Sequence, residues 1–401
     1  MNLGARRGRK TDRGARKAGR VWFDIHSWVG LKLSILMAFI LITGTLAVFA
    51  HELDWLRTSK MRAAMSDAEP HSLGAMLDTA SAAYPDWTVR ALYAPVDPWF
   101  TAQAIATTPD GGLRRIYIDP YTGTVKGDGH WMNVQRVLRQ AHRHLMLPNR
   151  IGIPLVSSLS ILLALSMVTG AVVYKKWWRG FFRMPRTRDR RTLWGDIHRL
   201  CGLWSFWFIL LIAATGLWYL VESLGSYAPA LPDRGIAAKA PAAFSAEALQ
   251  ARAEAAFPEL RIRAISSPTK PGAPMVFMGQ AEAVLVRPRA NFVSVDPATG
   301  NVLEIGDARA LGVHQRISEM ADPLHFGTLG GLPTKIIWFL FGCALSALSL
   351  SGIYIYAKRC ARSLEPVRLR TVAWSGMGRW RYVGVLLIIL CIILAPLGVS
   401  G

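Results

Sequence analysis

Five apolar stretches of this 401-residue chain are long enough to cross a membrane: 21–50, 151–174, 199–221, 333–357 and 382–399. A hydrocarbon core of about 30 Å takes roughly 20 residues of helix. Within that core every backbone polar group must be paired inside the segment, so the spans are predicted to be helical. This excludes a soluble enzyme, a disordered chain and a secreted disulfide scaffold. Only 18% of the residues are charged, against about 25% in soluble domains. The first stretch follows a basic tail and lacks a small-residue cleavage pattern, so it reads as a retained span, not a signal peptide.

The net charge of +21 first suggests a nucleic-acid partner, but its placement argues otherwise. Segments 1–20, 175–199 and 358–381 together hold 24 Lys/Arg and 4 Asp/Glu, a net of +20. Basic residues near span ends stay on the cytoplasmic side. All three segments share that side if the N-terminus is inside. Anionic membrane lipid is then their partner, and no nucleic acid is needed to explain them. The chain divides into a basic tail 1–20, span 21–50, an outer segment 51–150, span 151–174, a basic loop 175–198, span 199–221, an outer segment 222–332, span 333–357, a basic loop 358–381 and span 382–399. The four cysteines, Cys201, Cys343, Cys360 and Cys391, all lie outside the two outer segments. No disulfide is therefore available there.

The chain is written twice. Residues 22–31 read WFDIHSWVGL and residues 194–203 read WGDIHRLCGL, with His26 and His198 in register. Eighteen residues past each comes Thr43-Gly44 or Thr215-Gly216. The outer segments carry YIDPYTGTV at 117–125 and VSVDPATGNV at 293–302. In this turn Pro presets φ and Gly supplies φ > 0 between two strands. Helices are expected near 72–84 and 245–256, and strands near 88–93, 113–118, 260–266, 275–278 and 291–296. Each copy then returns to the membrane behind a histidine, in AHRHL (His142, His144) and PLHFG (His325). Each returning span ends on a small polar residue and glycine, Thr169-Gly170 or Ser351-Gly352. The repeat unit is a span, an outer α+β module and a returning span, and the fifth span has no counterpart.

A histidine at membrane depth faces the bundle interior and has a task there. Duplication places equivalent helices face to face, so His26 can approach His198 at one depth and His142 can approach His325 at the other. Paired imidazoles on facing helices suit haem iron. No C-x-x-C-H motif is present for covalent attachment, so the haem would be b-type. Eighteen residues at 1.5 Å is about 27 Å, nearly one bilayer core. Gly44 and Gly216 are therefore expected near the outer pair, and Gly170 and Gly352 near the inner pair. At these positions a missing side chain leaves room for a flat macrocycle, or else allows small-residue helix packing. His144 stands as the alternative to His142. His51, His71, His130 and His314 have no partner in the other copy, although His51 and His314 could line an outer substrate site. Asp24 and Asp196 read as helix N-terminal charges or as neighbours that orient the adjacent histidines. With no dinucleotide fingerprint or P-loop in the chain, electrons would have to come from a quinol or a separate donor protein.

These motifs together (the WxDIHxxxGL openings, the two Asp-Pro turns, AHRHLML and PLHFGTLGG) resemble the PepSY-associated transmembrane helix family of bacteria over residues 20–360. The resemblance implies a polytopic α-helical protein of the inner, cytoplasmic membrane. It has a duplicated four-helix core plus a fifth span, and two periplasmic α+β PepSY-like domains. It implies a di-haem reductase resembling those for ferrioxamine and ferripyoverdine. Such an enzyme passes electrons across the membrane to a periplasmic ferric siderophore and releases Fe(II). The implied ligands of two haem b groups are His26, His198, His142 and His325. Rival readings are a membrane-anchored module regulating a periplasmic peptidase and a siderophore permease. The siderophore and the residues touching it, the electron donor and any homo-oligomer are left open.

Overall fold

The computed structural model describes residues 20–361 and 368–397. Expectations on residues 1–19, 362–367 and 398–401 lie outside them. The described residues form two compact units. One is built from Ala50–Arg136 and Ala228–Gly331, the other from Met1–Phe49, Val137–Tyr227 and Leu332–Gly401.

The first unit is an eight-stranded antiparallel sheet with two covering helices. Its first half contributes α3 (Ala50–Arg57), α4 (Leu73–Ala83), β1 (Thr88–Tyr93), β2 (Ala102–Thr107), β3 (Leu113–Ile118) and β4 (Val125–His130). Its second half contributes α10 (Ala246–Ala256), β5 (Arg261–Ser266), β6 (Met275–Gln280), β7 (Asn291–Val295), β8 (Val302–Gly306) and α11 (Val313–Phe326). The strand order is β4-β3-β2-β1-β5-β6-β7-β8. The expected pair of separate outer modules is thus one continuous sheet, sewn together where Leu92 of β1 pairs with Ile265 of β5. Each four-stranded half would otherwise leave an open edge of unpaired N–H and C=O groups, and fusion removes both.

Alternation along the strands puts Leu92, Ala104, Ile116, Ile265, Phe277 and Val293 into one core with Leu77 and Leu249 of the two helices. Each large side chain buried there contributes about 1.5–3 kcal/mol. The helices start alike. Ser72 accepts from the Ala75 N–H at 3.1 Å and Ser245 from the Ala248 N–H at 3.2 Å, which satisfies amide groups left free at a helix N-terminus. The two helices also meet directly, for a Cβ on Gly74 would stand 2.5 Å from the Glu247 Cα. In each Asp-Pro turn the carboxylate binds a distant backbone. Asp119 accepts from Ala64 N–H at 2.8 Å and Asp296 from Ala238 N–H at 3.0 Å, while Gly123 and Gly300 take φ of 67° and 72°.

The second unit is helical. Its elements are α1 (Arg20–Lys32), α2 (Ser34–Val48), the end of α5 (Val134–His144), α6 (Asn149–Ser157), α7 (Leu159–Val173), α8 (Arg190–Trp204), α9 (Phe206–Ser223), α12 (Gly331–Ala361), α13 (Leu369–Gly376) and α14 (Trp380–Leu394). Three helices, Asn149–Val173, Phe206–Ser223 and Gly331–Ala361, are long and apolar enough to cross a membrane, and five if the bent pairs α1/α2 and α13/α14 each count as one. The first expected span is bent by 67° and the last pair by 95°. The chain is a multi-pass membrane protein. Its helices close on small residues, as packing in lipid demands. A Cβ on Gly342 would stand 2.7 Å from Thr45 Oγ1, and one on Gly216 would stand 2.8 Å from Ser160 Cβ. Apolar clusters around Leu36, Ile40 and Leu159 and around Phe208, Trp338 and Leu345 fill the interior. Leu340, Leu386 and Ile392 stand outward, each more than half exposed.

Candidate bis-histidine site

Helices α1 and α8 are the two copies of the WxDIH segment, and they bring His26 and His198 together. The ring centroids lie 6.5 Å apart with the planes at 78°. Each ring is held by the helix that ends its own half. His26 Nδ1 is 2.9 Å from Thr169 Oγ1 on α7, and His198 Nδ1 is 2.9 Å from Ser351 Oγ on α12. The glycine after each hydroxyl lies against the same imidazole. A Cβ on Gly170 would stand 3.4 Å from His26 Cε1, and one on Gly352 would stand 3.5 Å from His198 Cε1. The site is therefore two-fold in its residues and in its geometry.

This arrangement fits haem. Two imidazoles sharing one metal through nitrogens at about 2.0–2.1 Å each have centroids roughly 6 Å apart. With Nδ1 occupied in both rings, Nε2 is the nitrogen left for a metal. Among the described residues no group of three or more His, Cys, Asp or Glu is placed to hold a metal ion. A lone pair of imidazoles needs four further donors, which a porphyrin brings with it.

His142 belongs to the same membrane unit and lies by the first half's other Thr-Gly pair. Its Nδ1 is 2.9 Å from the Ile40 carbonyl, and a Cβ on Gly44 would stand 2.5 Å from its Cε1. His144 is buried against α6 instead, its own Cβ 2.6 Å from where a Gly152 side chain would begin. It is His142 that occupies the glycine cradle. Helix α5 ends directly after these residues in Leu145 and Met146, both with positive φ, 55° and 58°. That conformation costs about 1–2 kcal/mol per non-glycine residue. Both side chains are fully buried beside Leu36 and Leu159, and this burial offsets the cost.

His325 lies on α11 in the sheet unit, its ring 5.6 Å from that of Phe326 and edge-on to it. A charge cluster around the buried Glu319 fixes this helix. Arg287 donates to Glu319 at 2.8 Å and to Asp322 at 3.0 Å, and Arg289 donates to Glu319 at 2.8 Å. Burial pushes the Glu319 carboxyl up, but the hydrogen bonds from Arg287 and Arg289 overcome it and hold the group below its ordinary value. In the first half Asp54 accepts from the N–H groups of Val134 and Gln135 at 2.9 Å each, at the start of α5.

The remaining candidates have other partners. Gly216 packs on Ser160, a helix contact. Asp24 pairs with Arg359 at 3.3 Å. Asp196 is buried between Arg186 and Arg199, and the Arg186 hydrogen bond holds its carboxyl at about 2. His71 lies against Gly123, and His130 Nδ1 is 3.4 Å from Arg114. The sequence alone assigns no role to the hydroxyls of Thr169 and Ser351. Their signal was a hydroxyl before glycine recurring at corresponding places in both halves.

The glycines differ in how closely they are packed, which gives an ordering of effects. Gly44→Ala is expected to force His142 aside at about 1–3 kcal/mol, the cost of overpacking. Gly170→Ala and Gly352→Ala meet ordinary contact distances and are expected to be tolerated. Melting temperatures of the three variants check the order, and equal values would contradict it.

Among curated proteins nothing matches the chain. The sequence model of the PepSY-associated TM region matches residues 23–359, from the first WxDIH helix to the end of α12. This span takes in both copies of the repeat, all four duplicated histidines and the whole sheet unit. The chain belongs to the PepSY-associated TM family.

Proposed function

We propose that this protein is a di-haem reductase of the bacterial inner membrane, passing electrons outward to a ferric siderophore. The observation that supports it best is the His26–His198 pair, with centroids 6.5 Å apart, each Nδ1 taken by a hydroxyl and each ring lying on a glycine. His26 and His198 would hold the inner haem. His142 and His325, the corresponding residues of the repeat, would serve the outer one. The basic segments favour a cytoplasmic N-terminus and a periplasmic sheet unit.

Haem supplies a one-electron couple whose potential the protein tunes through ligands, burial and hydrogen bonds. The chain's own residues supply the rest. Helices α1 and α8 orient the imidazoles. The apolar clusters on α2, α9 and α12 keep water away and lower the dielectric around the site. The sheet unit offers the surface on which a chelate docks. One electron converts Fe(III) to Fe(II), which the hard oxygen donors of a siderophore hold far less well. The chelator then leaves unchanged, and no general acid or base is required. The electron comes from a quinol or a separate donor protein.

Proteoliposomes holding the protein, with a reduced quinol as donor and a ferric hydroxamate outside, test the reading. Fe(II) trapped by a colorimetric chelator should appear with wild type and fall to the protein-free rate with His26→Ala. Uptake of intact chelate without any reductant would instead identify a permease. An equal rate from His26→Ala would remove the site from the electron path.

A further inference from the structure

The two hydroxyls at the inner pair do more than fill space. A hydroxyl has one proton to give and lone pairs to receive. Thr169 Oγ1 lies 2.6 Å from the Leu165 carbonyl, and Ser351 Oγ lies 2.6 Å from the Ala347 carbonyl. These carbonyls have no proton of their own, so each hydroxyl must donate to make that contact. With its proton spent, each oxygen can only accept from the imidazole beside it, at 2.9 Å in both halves. Nδ1 therefore carries the hydrogen in His26 and in His198, and Nε2 keeps its lone pair. His142 obeys the same logic by another route. Its Nδ1 meets the Ile40 carbonyl at 2.9 Å, an acceptor that cannot donate.

We infer that Thr169 and Ser351 are positioning residues that lock His26 and His198 in the Nδ1–H tautomer and lower the reduction potential of the iron they hold. The inference rests on the di-haem reading above. A hydrogen bond accepted from Nδ1–H makes the imidazole a stronger electron donor through Nε2. A stronger donor favours Fe(III) over Fe(II). The glycine that follows each hydroxyl lies beside the same ring, its Cβ position in ordinary contact at 3.4 and 3.5 Å. The hydroxyl is thus the imidazole holder, used once in each half of the repeat.

The test is an optical redox titration of the purified holoprotein, with haem counted per chain. Thr169→Val keeps the side-chain shape and loses the oxygen, and Ser351→Ala loses the oxygen alone. Both are expected to keep two haems and to raise the potential of one couple while leaving the other in place. Losing one hydrogen bond should change that couple's Fe(III)/Fe(II) ratio at fixed poise by about three- to tenfold. Tenfold corresponds to 59 mV for one electron. Thr169→Ser, which restores the oxygen, should titrate as wild type. Unmoved potentials in both Thr169→Val and Ser351→Ala would overturn the inference while leaving the haem assignment intact. If Thr169→Val drops the inner haem altogether, Thr169→Ser decides: recovery of haem at the wild-type potential supports the hydroxyl, and continued loss means that the methyl packing mattered instead. A wild-type protein without haem would end both the inference and the reading beneath it.

Discussion

Purified His26→Ala and His198→Ala proteins are each expected to carry one haem where the wild type carries two. The reason is geometric. The two rings lie 6.5 Å apart, a separation at which they can share one metal, so on the proposed reading either deletion opens the same coordination sphere. The double variant should therefore lose no more haem than either single one. This is the non-additivity expected of residues that act as one unit. If the two histidines served separate sites, the double variant would lose both haems. His144→Ala supplies the contrast. That residue packs against α6 at Gly152 instead of occupying the Gly44 cradle, so the variant should keep both haems. His142→Ala should lose the second.

The next largest effect is expected at Glu319. This carboxylate is 2% exposed and takes hydrogen bonds from two guanidiniums. Breaking a buried ion pair by removing one partner costs about 3–5 kcal/mol, because a charge is left without compensation. Arg287 is a quarter exposed and keeps Asp322, and Arg289 is half exposed. The cost of Glu319→Ala should therefore fall at the low end, about 3 kcal/mol. A lower melting temperature is expected, with a shift in the spectrum of the haem proposed to use His325, since the same helix carries both residues. Glu319→Gln should recover part of the stability, having hydrogen-bonding capacity without the charge. The pH dependence has a definite sign. The folded carboxyl titrates below its ordinary value, so its contribution is fully present above the ordinary carboxylate range. That contribution is lost as the pH falls through the lowered value. Wild type should lose this increment on acidification and Glu319→Gln should not. Melting curves between about pH 6 and 3, spanning the ordinary carboxylate pKa, would show it, and parallel curves for the two proteins would contradict it.

Much of this was legible before any coordinates. Periodicity and turn chemistry located β1, β3, β5, β6, β7, α4 and α10, because alternation, helical pattern and Asp-Pro turns are local signals. Strand β2, with the sequence AQAIAT, was missed although it alternates buried and half-buried residues. Its small side chains give little hydrophobic contrast. The merging of two modules into one sheet was not readable at all. The pairing of β1 with β5 runs through backbone N–H and C=O groups, which every residue possesses. The bend at Leu33, between Lys32 and Ser34, was hidden for another reason. No proline or glycine stands at that position to announce it.

The histidine pair was legible because duplication compares a residue with its own copy, which a single motif cannot do. The repeat also selected the glycines. Of these, Gly44, Gly170 and Gly352 lie against imidazoles and Gly216 against Ser160. Composition cannot separate these two uses, since both need only a missing side chain. Thr169 and Ser351 were visible as residues but not as partners. A hydroxyl's task depends on which nitrogen comes within 3 Å, and that is settled by how α7 and α12 are rotated.

Haem stoichiometry with a reduced-minus-oxidised spectrum, measured on wild-type protein purified from haem-replete cells, tests the central claim most directly. Two b-type haems per chain, six-coordinate and low-spin in both oxidation states, are the expected result. A colourless protein that is otherwise folded and membrane-inserted would contradict it.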